Sequence, residues 1–212
     1  MKIEIKNYTK VLKGATILDR VNLVLEGGTI YGFIGRNGSG KTMLLRAIAG
    51  LIRPTEGQVI LDGEKELHKD SDFPPNMGVL LERPNFLNYL SGMDNLKMLA
   101  EIQGKIGEAE IAQWLQRFQM DPADKKIFKH YSLGMKQKIG VIQALMEDQT
   151  LIVLDEPFNA LDEEAVQVLR EILLERKAAG NLIMLTSHHK EDIEALCDVV
   201  YRIDQGKVMP AE

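Results

Sequence analysis

Two stretches near the N-terminus alternate apolar and polar positions: Ile3 and Ile5 sit between charges, and Val21, Leu23 and Leu25 precede Gly27-Gly28. A period of two turns one face of a strand to a core and the other to water, so both stretches read as antiparallel strands with one wet face. From Ile30 the pattern changes to a strand, a glycine-rich turn and a helical stretch over 43–49 stopped by Gly50. Turn residues at 54–57 and 62–63 bracket a short strand over 58–61. After an apolar strand at 77–81, Leu96, Leu99, Ile111, Leu115 and Phe118 recur at helical spacing. They predict helices over 93–103 and 108–120, a helical insert whose third helix starts near Leu133. The continuous apolar run 151–154 has the character of a buried parallel strand. A helix over 162–179, a strand over 182–186, a helix over 190–196 and a strand over 199–203 then alternate, which predicts a parallel sheet covered by helices.

Composition narrows the class. The 212 residues are 45% hydrophobic and 27% charged, values of a globular chain with one sizeable core. With 26 Lys+Arg against 31 Asp+Glu the formal charge is −5, the wrong sign for a protein that binds nucleic acid by neutralising phosphates. A single cysteine, Cys197, forms no internal disulfide, fits a reducing compartment and reads as a packing residue. The charges among Met1 to Lys6 do not read as a signal peptide, and no apolar run approaches the roughly 18 residues of a membrane span. Any membrane role is therefore expected to come from another chain.

The chemistry is concentrated at three places. Gly35-Arg36-Asn37-Gly38-Ser39-Gly40-Lys41-Thr42 matches G-x-x-x-x-G-K-[ST] between an expected strand and helix. Glycines let a backbone wrap a polyphosphate, and the helix start adds the positive end of its dipole. Asn37, Gly38, Ser39, Gly40, Lys41, Thr42 and Met43 are the expected nucleotide contacts. Lys41 is placed to reach the β- and γ-phosphates and the Thr42 hydroxyl to ligate Mg²⁺. The second place is Asp155-Glu156, at the C-terminal end of the run 151–154, the edge at which open parallel sheets bind ligands. Asp155 suits a Mg²⁺ contact, and Glu156 suits orienting and deprotonating a water aimed at the γ-phosphate.

The third is Tyr131-Ser132-Leu133-Gly134-Met135-Lys136-Gln137. Here the chain resembles the nucleotide-binding subunits of ABC transporters, whose signature is written L-S-G-G-Q. Ser132 and Gly134 match it, whereas Leu133 replaces a glycine and Met135 a glutamine. The variant is similar to bacterial export ATPases of the bacitracin and lantibiotic type. Asn159-Ala160-Leu161-Asp162 resembles the family's D-loop, and Thr186-Ser187-His188 its switch-histidine motif, with His188 favoured over His189. Glu82 stands where the family has a glutamine that contacts water or Mg²⁺, and Leu12 where it has an aromatic that stacks on adenine. Phe86 and Tyr89 fall in the region that faces membrane subunits in the family; each reads equally as an interface anchor or a core residue.

The resemblance implies an α/β fold: a P-loop NTPase (RecA-like) parallel-sheet core with an N-terminal antiparallel β-subdomain and an inserted α-helical subdomain. Residues 1–82 and 150–212 would form the nucleotide-binding core and 83–149 the helical part. It implies ATP and Mg²⁺ as cofactors, and Glu156, His188 and Lys41 as catalytic residues. Ser132 and Gly134 would form a second phosphate-binding edge, with Thr42, Glu82 and Asp155 toward the metal. The implied partners are separate transmembrane permease subunits and a second ATPase copy or paralogue, with no nucleic acid. The implied place is the cytoplasmic face of a membrane. A regulatory protein that closes on ATP but hydrolyses it weakly is the alternative, motivated by Leu12, Glu82, Leu133 and Met135. Retention of Lys41, Asp155, Glu156 and His188 argues for the hydrolase.

Overall fold

The computed structural model describes every residue except Arg83, His188, His189 and Glu212. Strands β1 (Lys2–Leu12) and β2 (Ala15–Glu26) form an antiparallel hairpin turned by Gly14, whose φ of 81° suits glycine. Strand β3 (Thr29–Ile34) leads to helix α1 (Lys41–Ile48), then β4 (Glu56–Leu61), β5 (Lys65–Glu66) and β6 (Met77–Leu80). Helices α2 (Gly92–Gln103), α3 (Glu108–Arg117) and α4 (Leu133–Leu145) follow, with a single 3₁₀ turn, Phe128–His130, before α4. The last third alternates β7 (Leu151–Leu154), α5 (Glu163–Ala178), β8 (Leu182–Thr186), α6 (Lys190–Leu196), β9 (Val199–Asp204) and β10 (Lys207–Pro210).

Two sheets result. The antiparallel one runs β2-β1-β4-β5, and the other runs β10-β9-β3-β8-β7-β6. In the second, β9, β3, β8, β7 and β6 pair in parallel, while β10 closes the edge antiparallel to β9. The expected α/β architecture is present, with a mostly parallel sheet, an antiparallel sheet and a helical insert.

The core explains why β7 and β8 carry no polar alternation. Leu151, Val153, Leu182 and Met184 join the cluster formed with the antiparallel sheet and α1. Their neighbours Ile152, Leu154, Ile183 and Leu185 join the cluster formed with α2 to α5. Each such side chain, fully buried, contributes about 1.5–3 kcal/mol, so a strand covered on both faces is selected for continuous hydrophobicity. Tyr8 packs against the antiparallel side and donates its hydroxyl to the Ile52 carbonyl at 2.9 Å. Cys197 is half-buried against Gly32, and burial, aided by Asp198 and Asp192, pushes its thiol up to about 12, as suits an inert packing group.

The hydrophobic pattern does not reveal β5 or β10, edge strands of two and four residues that are too short to show a period. Helix α3 ends at Arg117, short of the expected 120, because Gln119 turns into the left-handed region at φ 57°. Within the insert, Met120 is buried, while Trp114 packs on the core edge with the Arg117 guanidinium 5.9 Å from its ring centre. Among the described residues no helix is long and apolar enough to cross a membrane.

Candidate functional site

The loop after β3 is shaped by backbone crowding. A side chain at Gly35 would place its Cβ 2.3 Å from the Ile203 carbonyl oxygen, so the chain passes there only as glycine. Gly40 precedes α1 with φ 113°, no side chain caps the helix, and its first turn holds no acidic residue. The uncapped N–H groups and the helix dipole therefore favour an anion at this end. A cavity of about 480 Å³ opens there, lined by Asn37, Gly38, Gly40, Lys41, Thr42 and Met43 on one side and Asp155 and Glu156 on the other.

Two observations test whether these residues suit a polyphosphate. The nearly buried Lys41 ammonium is folded onto the loop, donating to the carbonyls of Gly35 (2.8 Å) and Arg36 (3.4 Å), with no carboxylate partner among the described residues. The buried Ser39 hydroxyl has no hydrogen-bond partner there either. A cation held only by neutral carbonyls and a hydroxyl without a partner, both beside an uncapped helix start, are groups that phosphate oxygens would satisfy.

Sheet order positions the carboxylates. Strand β8 lies between β3 and β7, so its last residue, Thr186, stands between the phosphate loop and the end of β7. The Thr186 hydroxyl donates to Asp155 Oδ1 at 2.6 Å and accepts the Glu156 N–H at 2.8 Å. From the other side the Thr42 hydroxyl donates to Asp155 Oδ2 at 2.6 Å. Asp155 is thus buried between two hydroxyls, and Glu156, at φ 50°, turns the chain sharply at the strand end. Sequence reasoning misses this linking role of Thr186; a hydroxyl closing an otherwise apolar strand is the signal that marks it.

Ser132 caps α4, its hydroxyl accepting the Met135 N–H at 3.2 Å, and Leu133 beside it is 57% exposed. Three contacts join this helix start to the segment after β7. A Cβ on Gly134 would lie 2.7 Å from the Ala160 carbonyl oxygen. Gln137 donates to the carbonyls of Pro157 (3.0 Å) and Glu156 (3.3 Å). The nearly buried Lys138 ammonium meets Asp162 Oδ2 at 2.7 Å, while Asp162 Oδ1 caps α5 by accepting the Ala165 N–H at 2.8 Å. Sequence reasoning misses Gln137 and Lys138 as well, although two polar residues on the buried side of an apolar helix are unusual enough to find.

Lys138 holds the Asp162 carboxyl below the usual carboxylate range, with the Ala165 N–H adding to it and burial opposing. A carboxylate with a depressed folded pKa contributes stability above its unfolded value, about 3.9, and loses it as pH falls through the folded one. Asp162→Asn keeps a good cap. It is therefore expected to be less stable than the parent at pH 7 and to converge with it below about pH 4, as read by urea unfolding at each pH.

The remaining positions separate. Glu82, at φ 59°, is exposed and accepts a 2.7 Å hydrogen bond from Arg46 of α1. Phe86 packs edge-on against Phe128 with 5.1 Å between ring centres, whereas Tyr89 is 70% exposed. Leu12 is exposed at the end of β1. His188 lies outside the described residues, directly after Ser187.

A family model described as ABC transporter matches residues 18–159. An uncharacterised ABC transporter ATP-binding protein, YybJ of Bacillus subtilis (strain 168), is 42% identical over 210 residues, 99% of this chain and 96% of that protein. The bacitracin transport ATP-binding protein BcrA of Enterococcus faecalis is 33% identical over 208 residues, covering 98% of this chain and 68% of BcrA. The lantibiotic transport ATP-binding protein SrtF of Streptococcus pyogenes is 34% identical over 207 residues, covering 98% and 89%. A solved ATP-binding subunit of an ABC transporter superposes with TM-score 0.86 at 28% identity, covering 98% of this chain and 88% of that one. A dimeric cassette in a post-hydrolysis state with ADP and Pi superposes with TM-score 0.83 at 20% identity over 99% and 97%, a likeness of fold. With the family model spanning the phosphate loop, signature segment and carboxylate strand, and relatives matching almost the whole chain, the protein belongs to the ABC transporter family as an ATP-binding subunit.

Proposed function

We propose that this chain hydrolyses Mg²⁺-bound ATP in a head-to-tail dimer and thereby drives export through separate transmembrane subunits. The observation that carries the reading is the linked set Thr42, Asp155, Thr186 and Glu156 at the uncapped start of α1. Backbone N–H groups from Asn37 to Met43 and the Lys41 ammonium bind the phosphates. Thr42 and Asp155 supply hard oxygen donors of the kind Mg²⁺ takes, and Glu82 joins them only by exchanging Arg46. When bound, the metal would neutralise charge on the β- and γ-phosphates.

Glu156 accepts the proton of the attacking water as its oxygen bonds to the γ-phosphorus and the bond to the ADP oxygen breaks. His188, two positions after β8 in the sequence, would support the γ-phosphate, as the family resemblance implies. Ser132 and the backbone at Gly134 bind the phosphates of the ATP held by a second copy or a paralogue, so each site needs two chains. The dimeric cassette with ADP and Pi supports such an arrangement, and the names of BcrA and SrtF, bacitracin and lantibiotic transport ATP-binding proteins, support a role in transport. Docking on permease subunits would hold the protein at the cytoplasmic membrane face, with the exposed Tyr89 among the docking residues.

Two half-sites that must meet make turnover per chain depend on protein concentration. Specific ATPase activity is expected to rise with concentration toward a plateau, measured by phosphate release, and a tagged protein is expected to co-purify with a hydrophobic chain from membranes. Activity independent of concentration would remove the shared site, and co-purification with ribosomes in place of a membrane chain would remove the transport reading.

A further inference from the structure

Beyond the phosphate loop and carboxylates, a cluster between α5 and α6 has no part in the chemistry above. Asp192 of α6 is 4% exposed, and its carboxylate accepts from Arg170 of α5 at Oδ1 (2.7 Å) and from the Ser187 hydroxyl at Oδ2 (3.1 Å). Ser187 is itself buried and is the residue between Thr186 and His188. The guanidinium keeps a further buried N–H, at Nε, without a hydrogen-bond partner among the described residues. Arg170 and Asp192 line a cavity of about 480 Å³ that also touches Phe158 and Leu161, just past the carboxylate strand.

The end of β8 is therefore gripped at two successive residues by different elements. Thr186 is tied to Asp155 and Glu156, and Ser187 to Asp192, which Arg170 anchors to α5. A buried carboxylate needs a cation, and Arg170 supplies it through one N–H to Asp192 Oδ1. We infer that Arg170 is a positioning residue for ATP hydrolysis: acting through Asp192 and Ser187, it sets the backbone immediately before His188 relative to Glu156. This rests on the hydrolytic reading of the site proposed above. Small displacements of reacting groups cost turnover while leaving ground-state binding largely intact.

The test uses the full chain and compares the parent with Arg170→Ala, Arg170→Lys and Ser187→Ala. Steady-state phosphate release gives kcat and KM, calorimetry with ADP gives binding, and thermal unfolding gives the folded fraction. Arg170→Ala is expected to lower kcat by roughly tenfold to a hundredfold, with KM for ATP and ADP binding changed less than about twofold. Arg170→Lys is expected to regain most of the loss because it returns the charge to Asp192. Ser187→Ala, which removes one hydrogen bond without a charge, is expected to lower kcat in the same direction even where Arg170→Ala does not fold. The inference is overturned by an unchanged kcat, by a raised KM at constant kcat, or by Arg170→Lys remaining as slow as Arg170→Ala. Parent turnover no faster than that of Glu156→Gln is a separate outcome, which overturns the hydrolytic reading and the positioning role with it.

Discussion

Glu156→Gln is expected to lower ATP turnover by roughly 10²- to 10⁴-fold, the range by which a positioned general base accelerates proton transfer. The substitution keeps the size of the side chain and removes its basicity. It also spares the backbone contacts that hold the residue, since the Glu156 N–H to Thr186 bond and the Gln137 bond to the Glu156 carbonyl involve main-chain atoms. The phosphate loop, Lys41 and the Thr42–Asp155 pair are untouched, so ATP should still bind. A site that binds without hydrolysing should hold the closed dimer longer, because ATP stabilises whichever state it contacts more fully. Phosphate release measures the first effect, and light scattering with and without ATP the second. Equal turnover by both proteins would remove Glu156 as the base.

Gly78→Ala is expected to cause the largest loss of stability among the glycine positions of the sheet. Gly78 lies in β6, and a Cβ there would stand 1.8 Å from the carbonyl oxygen of Ala144 in α4 and 2.8 Å from its carbonyl carbon. Both are backbone atoms of a buried helix, so no side-chain rotation relieves the clash. Separation of strand and helix would also strain the 2.7 Å hydrogen bond from Gln143 to the Val79 carbonyl. Overpacking of this kind costs about 3 kcal/mol, which for a chain of this length lowers the thermal midpoint by roughly 6–12 °C. Because Ser132 caps α4, the shift should also misplace the signature edge. A thermal midpoint equal to the parent's would mean that β6 and α4 separate without cost, contrary to their close packing.

The residues whose chemistry is local are legible in the sequence alone. Gly35 to Thr42 carry their own turn, helix start and cation, and the run 151–154 ends in its two carboxylates within one segment. The strands and helices around them follow from periods of two and 3.6, which depend on neighbours a few positions away. Contacts made across the sheet leave no such trace. Thr42 and Asp155 are 113 positions apart, and Thr186 reaches Asp155 across 31. Nothing in the pattern around Arg46 announces that it faces Glu82, or around Lys138 that it faces Asp162. Phe86 and Tyr89 show the same limit: two aromatics three positions apart in one loop, one packed on Phe128 and the other in water.

Family membership, the phosphate-binding chemistry and the alternation of strands and helices are thus written into short segments, because glycine content, side-chain charge and hydrophobic period act at short range along a chain. Placement of β8 between β3 and β7 is not, since strand order follows from burying both faces of the sheet at once. That placement turns Thr186 into the link between the Asp155 carboxylate and the Glu156 backbone, and makes Arg170, Asp192 and Ser187 a brace behind it. The physical reason is one of range: a hydrogen bond needs its partner within about 3 Å, and residues far apart in sequence come that close only after the core has formed.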